Sequence, residues 1–181
     1  MKSVYQDKKG LLLILITLTF FLMVVLFYSD ERRAKVTKES EISAHLEKVF
    51  LNEFNEEIHI KMTKKIDYQY LILYKSKAGI GVAQYEKMKK IPLYQLKHIV
   101  HSPQHAVGAG SIGENAFFVY GDRESIGADF FSYRRGNESR KVRLLAQNYF
   151  LQVEDGGERG HVPLVNYYRE DGKIVASTPE K

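Results

Sequence analysis

Three histidines, His98, His101 and His105, stand at the spacing H-x2-H-x3-H. Neutral imidazole ligates zinc and other borderline metals, so a metal centre is the first chemistry to weigh. The spacing argues against it. If 93–100 is a strand, His98 and His101 point to opposite faces. Pro103 stops a regular helix from gathering His101 and His105. No H-E-x-x-H accompanies them. Solvated loop histidines are the simpler reading, and no metal or other cofactor is expected.

Immediately after them, 108–113 reads G-A-G-S-I-G and matches G-x-G-x-x-G. That pattern holds a pyrophosphate only between a strand and a helix, where amide N–H groups and the helix dipole face the anion. Here Glu114-Asn115 leads straight into the strand-like AFFVY, so a dinucleotide is not expected. Ser111 within A-G-S-I-G lacks the strand–turn–helix setting of a nucleophile elbow. The glycines are expected to serve a sharp turn at positive φ, inside a long loop over 101–114. The acidic pairs Asp122/Glu124 and Glu154/Asp155 fall in predicted turns, where Asp suits the backbone anyway. No catalytic residue is assigned.

The remaining candidate is a binding surface. Phe130, Phe131 and Tyr133 lie beside Arg134 and Arg135, with Arg140, Lys141 and Arg143 close by in sequence. Aromatic and guanidinium groups together suit contact with a protein or an anionic polymer. The competing reading is a core face backed by an ordinary solvated basic face.

These residues must be carried by something, and 11–28 decides what. It reads LLLILITLTFFLMVVLFY, eighteen residues without charge, Gly or Pro. At 1.5 Å per residue it spans about 27 Å, near the thickness of a bilayer's hydrocarbon core. A cleaved signal peptide would need small residues at its cut, and Phe27 stands there instead. An uncleaved transmembrane anchor is expected, behind a basic cytoplasmic tail at 1–10. Lys8 and Lys9 abut the membrane on the amino side. Arg32, Arg33, Lys35 and Lys38 on the other side are offset by Asp30, Glu31, Glu39 and Glu41. The amino terminus is therefore expected inside and the domain outside.

Beyond a charged linker at 29–36, residues 37–181 make one domain's length. An amphipathic helix is predicted over 38–56, with Ile42, Leu46, Val49, Phe50 and Phe54 in one stripe and Thr37 or Ser40 as its cap. From Glu57 the period becomes two. Strands are predicted at 57–63, 68–74, 80–85, 93–100, 116–120, 126–133, 141–146, 149–153, 164–168 and 173–177, with a loop at 75–79. A faint repeat joins LILY and IGVA, FFVY and IGA, VNYY and IVA, each pair five residues apart, the spacing of a hairpin. The fold class expected is α+β and β-rich: an N-terminal transmembrane helix, one amphipathic helix, then an antiparallel β-meander forming a curved sheet, a sandwich or a partly open barrel.

There are no cysteines, which rules out disulfides, thiolate catalysis and Cys-ligated metal within these residues. A net charge of +5 is mild, far from the footprint of a nucleic-acid binder, and compatible with anionic lipid or wall polymer. The phrases GIGVAQYEK at 79–87, after a tyrosine-rich strand, and FFVYG at 117–121 resemble small, uncharacterised membrane-anchored proteins of Gram-positive bacteria. That resemblance implies an extracytoplasmic β-rich domain and carries over no catalytic residue. The function expected is a membrane-anchored binding module of the cell envelope, touching another envelope protein or an anionic wall polymer. Two alternatives are an envelope hydrolase or metal enzyme built on 98–113, and an accessory subunit held to a larger membrane complex by its anchor.

Overall fold

The computed structural model describes residues 17–19, 36–89, 92–103, 105–155 and 160–178. The chain divides into two compact units, Met1–Ala34 and Lys35–Lys181, and the fold below is that of the second. Among the described residues no helix is long and apolar enough to cross a membrane. The expected anchor at 11–28 lies outside them, save for 17–19, which are helical.

The second unit opens on an isolated antiparallel bridge between Val36 and Tyr94. Val36 N–H donates to the Tyr94 carbonyl at 3.0 Å, and Tyr94 N–H returns to the Val36 carbonyl at 2.8 Å. A single 3-10 turn, Glu39–Glu41, then leads into helix α1, Ile42–Phe54. Ile42, Leu46, Val49 and Phe50 are buried, as one apolar stripe at helical spacing requires. Phe54, the last member of the predicted stripe, is 51% exposed. Asn55 takes the left-handed conformation there and ends the helix. The expected caps are absent: neither the 3-10 turn nor α1 has a side-chain cap, and the Thr37 hydroxyl instead donates to Glu41 at 3.4 Å.

Four strands follow as an antiparallel meander: β1 Ile58–Ile66, β2 Gln69–Ser76, β3 Gly79–Lys87 and β4 Tyr94–Pro103. The loop expected at 75–79 shrinks to Lys77 and Ala78, because β2 and β3 stay paired out to Lys75 and Ile80. This first sheet is buried on both sides. Tyr70, Ile72, Tyr74, Ala83 and Tyr85 meet the α1 stripe. Leu71, Leu73, Ile80 and Val82 face the other way, into a second core. Double burial is why LILY reads as an unbroken apolar run rather than an alternation.

That second core is closed by a three-stranded sheet in the order β5-β6-β9, with β5 Val107–Ile112, β6 Ala116–Asp122 and β9 Tyr149–Asp155. Ile112, Phe118, Tyr120 and Leu151 point back at the first sheet. Val107, Ala109, Phe117, Val119 and Phe150 point away from it, into a third core. The third sheet, in the order β11-β10-β7-β8, covers that core with Phe131, Tyr133, Val165 and Tyr167. Its strands are β7 Phe130–Arg135, β8 Glu138–Arg143, β10 Val165–Tyr168 and β11 Ile174–Thr178. The second unit is thus antiparallel and β-rich, stacked as helix, sheet, sheet and sheet. The predicted meander holds for β1–β4, and the order then breaks, because β9 returns to β6 and β10 returns to β7.

Two local expectations are corrected. The loop predicted over 101–114 holds the end of β4 and the whole of β5. Of its glycines only Gly113 has positive φ, at 62°. Gly108 and Gly110 are extended residues whose missing side chains admit the rings of Tyr120 and Phe118. The predicted strand 126–133 starts late, at Phe130, because Arg123–Ile126 form a one-turn helix, α2. The second copy of the faint repeat therefore is no hairpin, whereas the first and third are, as β2–β3 and β10–β11.

Candidate functional site

The histidines are not gathered. On β4, His101 stacks on Tyr74 with ring centroids 6.0 Å apart, its Nδ1 3.2 Å from the Tyr74 hydroxyl. His98 is exposed beside Gln84, and His105 is exposed beyond the end of β4. Among the described residues no three His, Cys, Asp or Glu could hold a metal ion. The G-x-G-x-x-G segment is strand up to Ile112, with Gly113 in the turn that follows, and Ser111 is an exposed strand residue opposite Phe117. A second Tyr–His pair joins His45 Nδ1 to the Tyr85 hydroxyl at 2.7 Å. Neither phenol is a ready nucleophile: burial pushes both Tyr74 and Tyr85 far above the ordinary range.

The acidic candidates hold structure. Asp122 ends β6, accepts the Ser125 N–H at 3.1 Å as the cap of α2, and pairs with Lys75 at 3.0 Å. Burial alone would raise its pKa, yet Lys75 and the Ser125 bonds win and hold it below the usual carboxylate range. A depressed folded pKa stabilises above the unfolded value, about 3.9, and that contribution disappears as the pH falls through the folded value. Asp122→Asn keeps a capping oxygen and removes the charge. It should cost about 1 kcal/mol at pH 7, as loss of a charge-assisted bond to a half-exposed lysine. Urea titrations at pH 7 and pH 3 should show the gap from the parent chain closing at the lower pH. Glu154 accepts from the Tyr133 hydroxyl at 3.3 Å at the rim of the third core.

The predicted basic–aromatic surface divides along the strand alternation of β7. Phe131 and Tyr133 are core residues, 0% and 2% exposed, so they leave the surface. Phe130 and Arg134 lie on the opposite, outward face. Arg143 is the cross-strand partner of Phe130, and Ser139 that of Arg134. Arg135 and Arg140 share the parity of the buried pair, opposite Glu138 and Tyr133, but are exposed beyond the core.

The outward face also takes residues from β10 and β11 that sequence reasoning passed over. Tyr168 is the partner of Phe130 and Asn166 that of Ser132, while Ile174 stands opposite Tyr168. One row across the sheet therefore runs Ile174, Tyr168, Phe130, Arg143, and the next runs Asn166, Ser132, Lys141. The signal was the doublet Tyr167-Tyr168: in an alternating strand one of two adjacent tyrosines must face outward.

Charge and ring are joined on this face. Lys141 Nζ sits 4.3 Å from the Phe130 ring centroid and 6.0 Å from that of Tyr168. The Arg143 guanidinium carbon lies 5.4 Å from the Phe130 centroid. Each ring's negative face steadies a cation, by about 0.5–1 kcal/mol at an exposed site. Ser132 donates to the Tyr168 hydroxyl at 3.2 Å, and Ser177 to Asn166 at 2.7 Å, which fixes the polar row. Arg143 reaches Glu170 at 3.7 Å, a pair exposed on both sides and correspondingly weak. The arrangement holds two cations on aromatic platforms, turned toward solvent and able to receive oxyanions.

The cleft walled by Arg123, Asp129 and Asn148 is less suited to a ligand. Arg123 already donates to the Ala128 carbonyl at 3.0 Å and to Asp129 at 2.8 Å, pinning the turn before β7. No family model matches the chain, and no curated protein or solved structure matches it.

Proposed function

We propose that this protein is a membrane-anchored interaction module of the cell envelope, with its domain outside the membrane and the outward face of the third sheet as its contact surface. The observation that carries the contact surface is the pairing of Lys141 and Arg143 with the Phe130 ring on the solvent side of a sheet whose other side is core. Half-exposed aromatics beside cations are the composition of contact patches, and their net positive charge selects an anionic partner. The uncharged stretch 11–28 supports the anchor, and Lys8 and Lys9 support the orientation. Catalysis forms no part of this reading.

The absence of cysteine makes the topology simple to test. Ser139→Cys places one thiol on exposed β8. In intact cells a membrane-impermeant maleimide should label it without lysis, in protein that stays with the membrane after carbonate washing. Labelling only after lysis would reverse the orientation, and release by carbonate would remove the anchor. The contact surface is tested by the Lys141→Glu, Arg143→Glu double variant. It should lose at least tenfold in affinity for polyglutamate, used as a generic polyanion, and unchanged affinity would dismiss the surface.

A further inference from the structure

We infer that β8 is a docking edge for an acidic, extended peptide segment, which adds to the third sheet as a further antiparallel strand. The inference rests on the reading of this sheet as the contact surface and names the occupant and the way it binds.

The argument begins with the sheet edges. Three sheets in one stack have six edge strands: β1 and β4, β5 and β9, β11 and β8. Five of them touch an edge strand of another sheet. β4 runs beside β5, β1 beside β9, and β11 beside β5. Among the described residues β8 alone of the six has no more than scattered contact with any strand beyond its neighbour β7, although the Gln152 side chain donates to the Arg143 carbonyl at 3.5 Å. Half of the backbone N–H and C=O groups of such a strand point away from its sheet, a template for one more strand.

The side chains of β8 select the occupant. Its sequence is Glu-Ser-Arg-Lys-Val-Arg, with every residue but Val142 exposed. Three cations against one acid repel a second copy of the same strand, and Arg134 and Arg135 on β7 add to that charge. The same charge attracts a segment with carboxylates. Register sets their positions. On the outward face an added strand would place alternate residues beside Lys141 and Arg143. On the other face its residues would lie beside Arg140 and the half-buried Val142, which suits an apolar side chain. A strand alternating acidic and β-branched residues meets both demands. A flexible polyanion meets only the first.

The experiment uses the full chain in detergent micelles and a fluorescein-labelled peptide of alternating Glu and Val, read by anisotropy. A second peptide of the same sequence carries N-methyl groups on alternate amides, in two versions that cover both edges. The unmodified peptide should bind at least tenfold more tightly than the version methylated on its pairing edge. Lys141→Glu with Arg143→Glu should lose at least tenfold again, while Lys141→Arg should bind like the parent. Ser139→Pro removes an N–H that points away from β7 without altering charge, and should weaken the peptide while sparing polyglutamate. Equal binding of all three peptides, with the charge reversal still damaging, would overturn strand addition and leave the charged contact surface standing. No binding of the unmodified peptide would overturn the inference outright. Loss of neither peptide nor polyglutamate on charge reversal would bring down the contact surface as well.

Discussion

Gly108→Ala should destabilise the domain by about 3 kcal/mol, the upper part of the usual range for overpacking a core. Nothing about its backbone forbids a side chain, since Gly108 is absent from the positive-φ positions. The obstacle is space. A Cβ there would overlap the far end of the Tyr120 ring and the Ser102 hydroxyl. The ring has nowhere to retreat: Tyr120 is 0% exposed, and its hydroxyl bonds Ser102 at 2.9 Å. From the other side the Gly108 carbonyl accepts from the Tyr167 hydroxyl at 3.5 Å, so the strand itself is held. Gly113→Ala is the control. Gly113 sits at φ 62°, and a Cβ added there would meet none of the described residues within 4 Å, so the change costs left-handed strain, about 1 kcal/mol. Urea denaturation followed by circular dichroism gives both values. A loss at position 108 no larger than at 113 would mean that the ring yields.

Tyr120→Ala should cost more, about 3–5 kcal/mol, the range for emptying a buried aromatic site. Its ring fills the second core between the first two sheets together with Phe118, Leu73 and Leu151. The transfer loss and the cavity act together, and Ser102 loses its partner. Tyr120→Phe separates these effects and should cost only about 1 kcal/mol, for the hydroxyl alone. Because Gly108 and Tyr120 compete for one volume, their effects must couple. The Gly108→Ala, Tyr120→Ala double variant should be more stable than the sum of the single losses implies, since the added methyl enters the space the ring has left. Strict additivity in the same urea measurement would show that the two residues do not share that space.

The sequence showed elements better than it showed layers. The α1 stripe was legible because one face meets a sheet and the other meets water, which is what a helical period records. β1 was expected as a strand with one wet face, but a register shift between Ile60 and Met62 divides its apolar residues: Ile58 and Ile60 meet the α1 core, and Met62 and Ile66 meet the second core. β2 and β6 were visible as apolar runs, but a run buried on both faces does not say which sheet lies on which side. That is why a simple meander was the natural expectation for a chain that stacks three sheets. β5 was missed because Gly108 and Gly110 mimic a loop, and their true reason, two rings on the neighbouring strand, is a contact invisible until the register is known. The layout of the proposed contact face was half legible. Phe130, Arg134 and Arg143 stand where alternation allows, whereas Phe131 and Tyr133 needed the parity of β7 to be assigned to the core. Tyr168 and Asn166 reach the face only through the return of β10 to β7, a pairing with no local signal.

The bridge between Val36 and Tyr94 has a mechanical side. Tension applied at Val36 is borne first by that one pair of backbone hydrogen bonds, and next by the seating of α1 on the first sheet. Two bonds at a sheet margin open one after the other under a peeling load, whereas the ladders of β2, β3 and β6 are flanked on both sides and resist together. The domain is thus built to loosen at its amino-terminal margin while the stacked sheets beyond keep their shape.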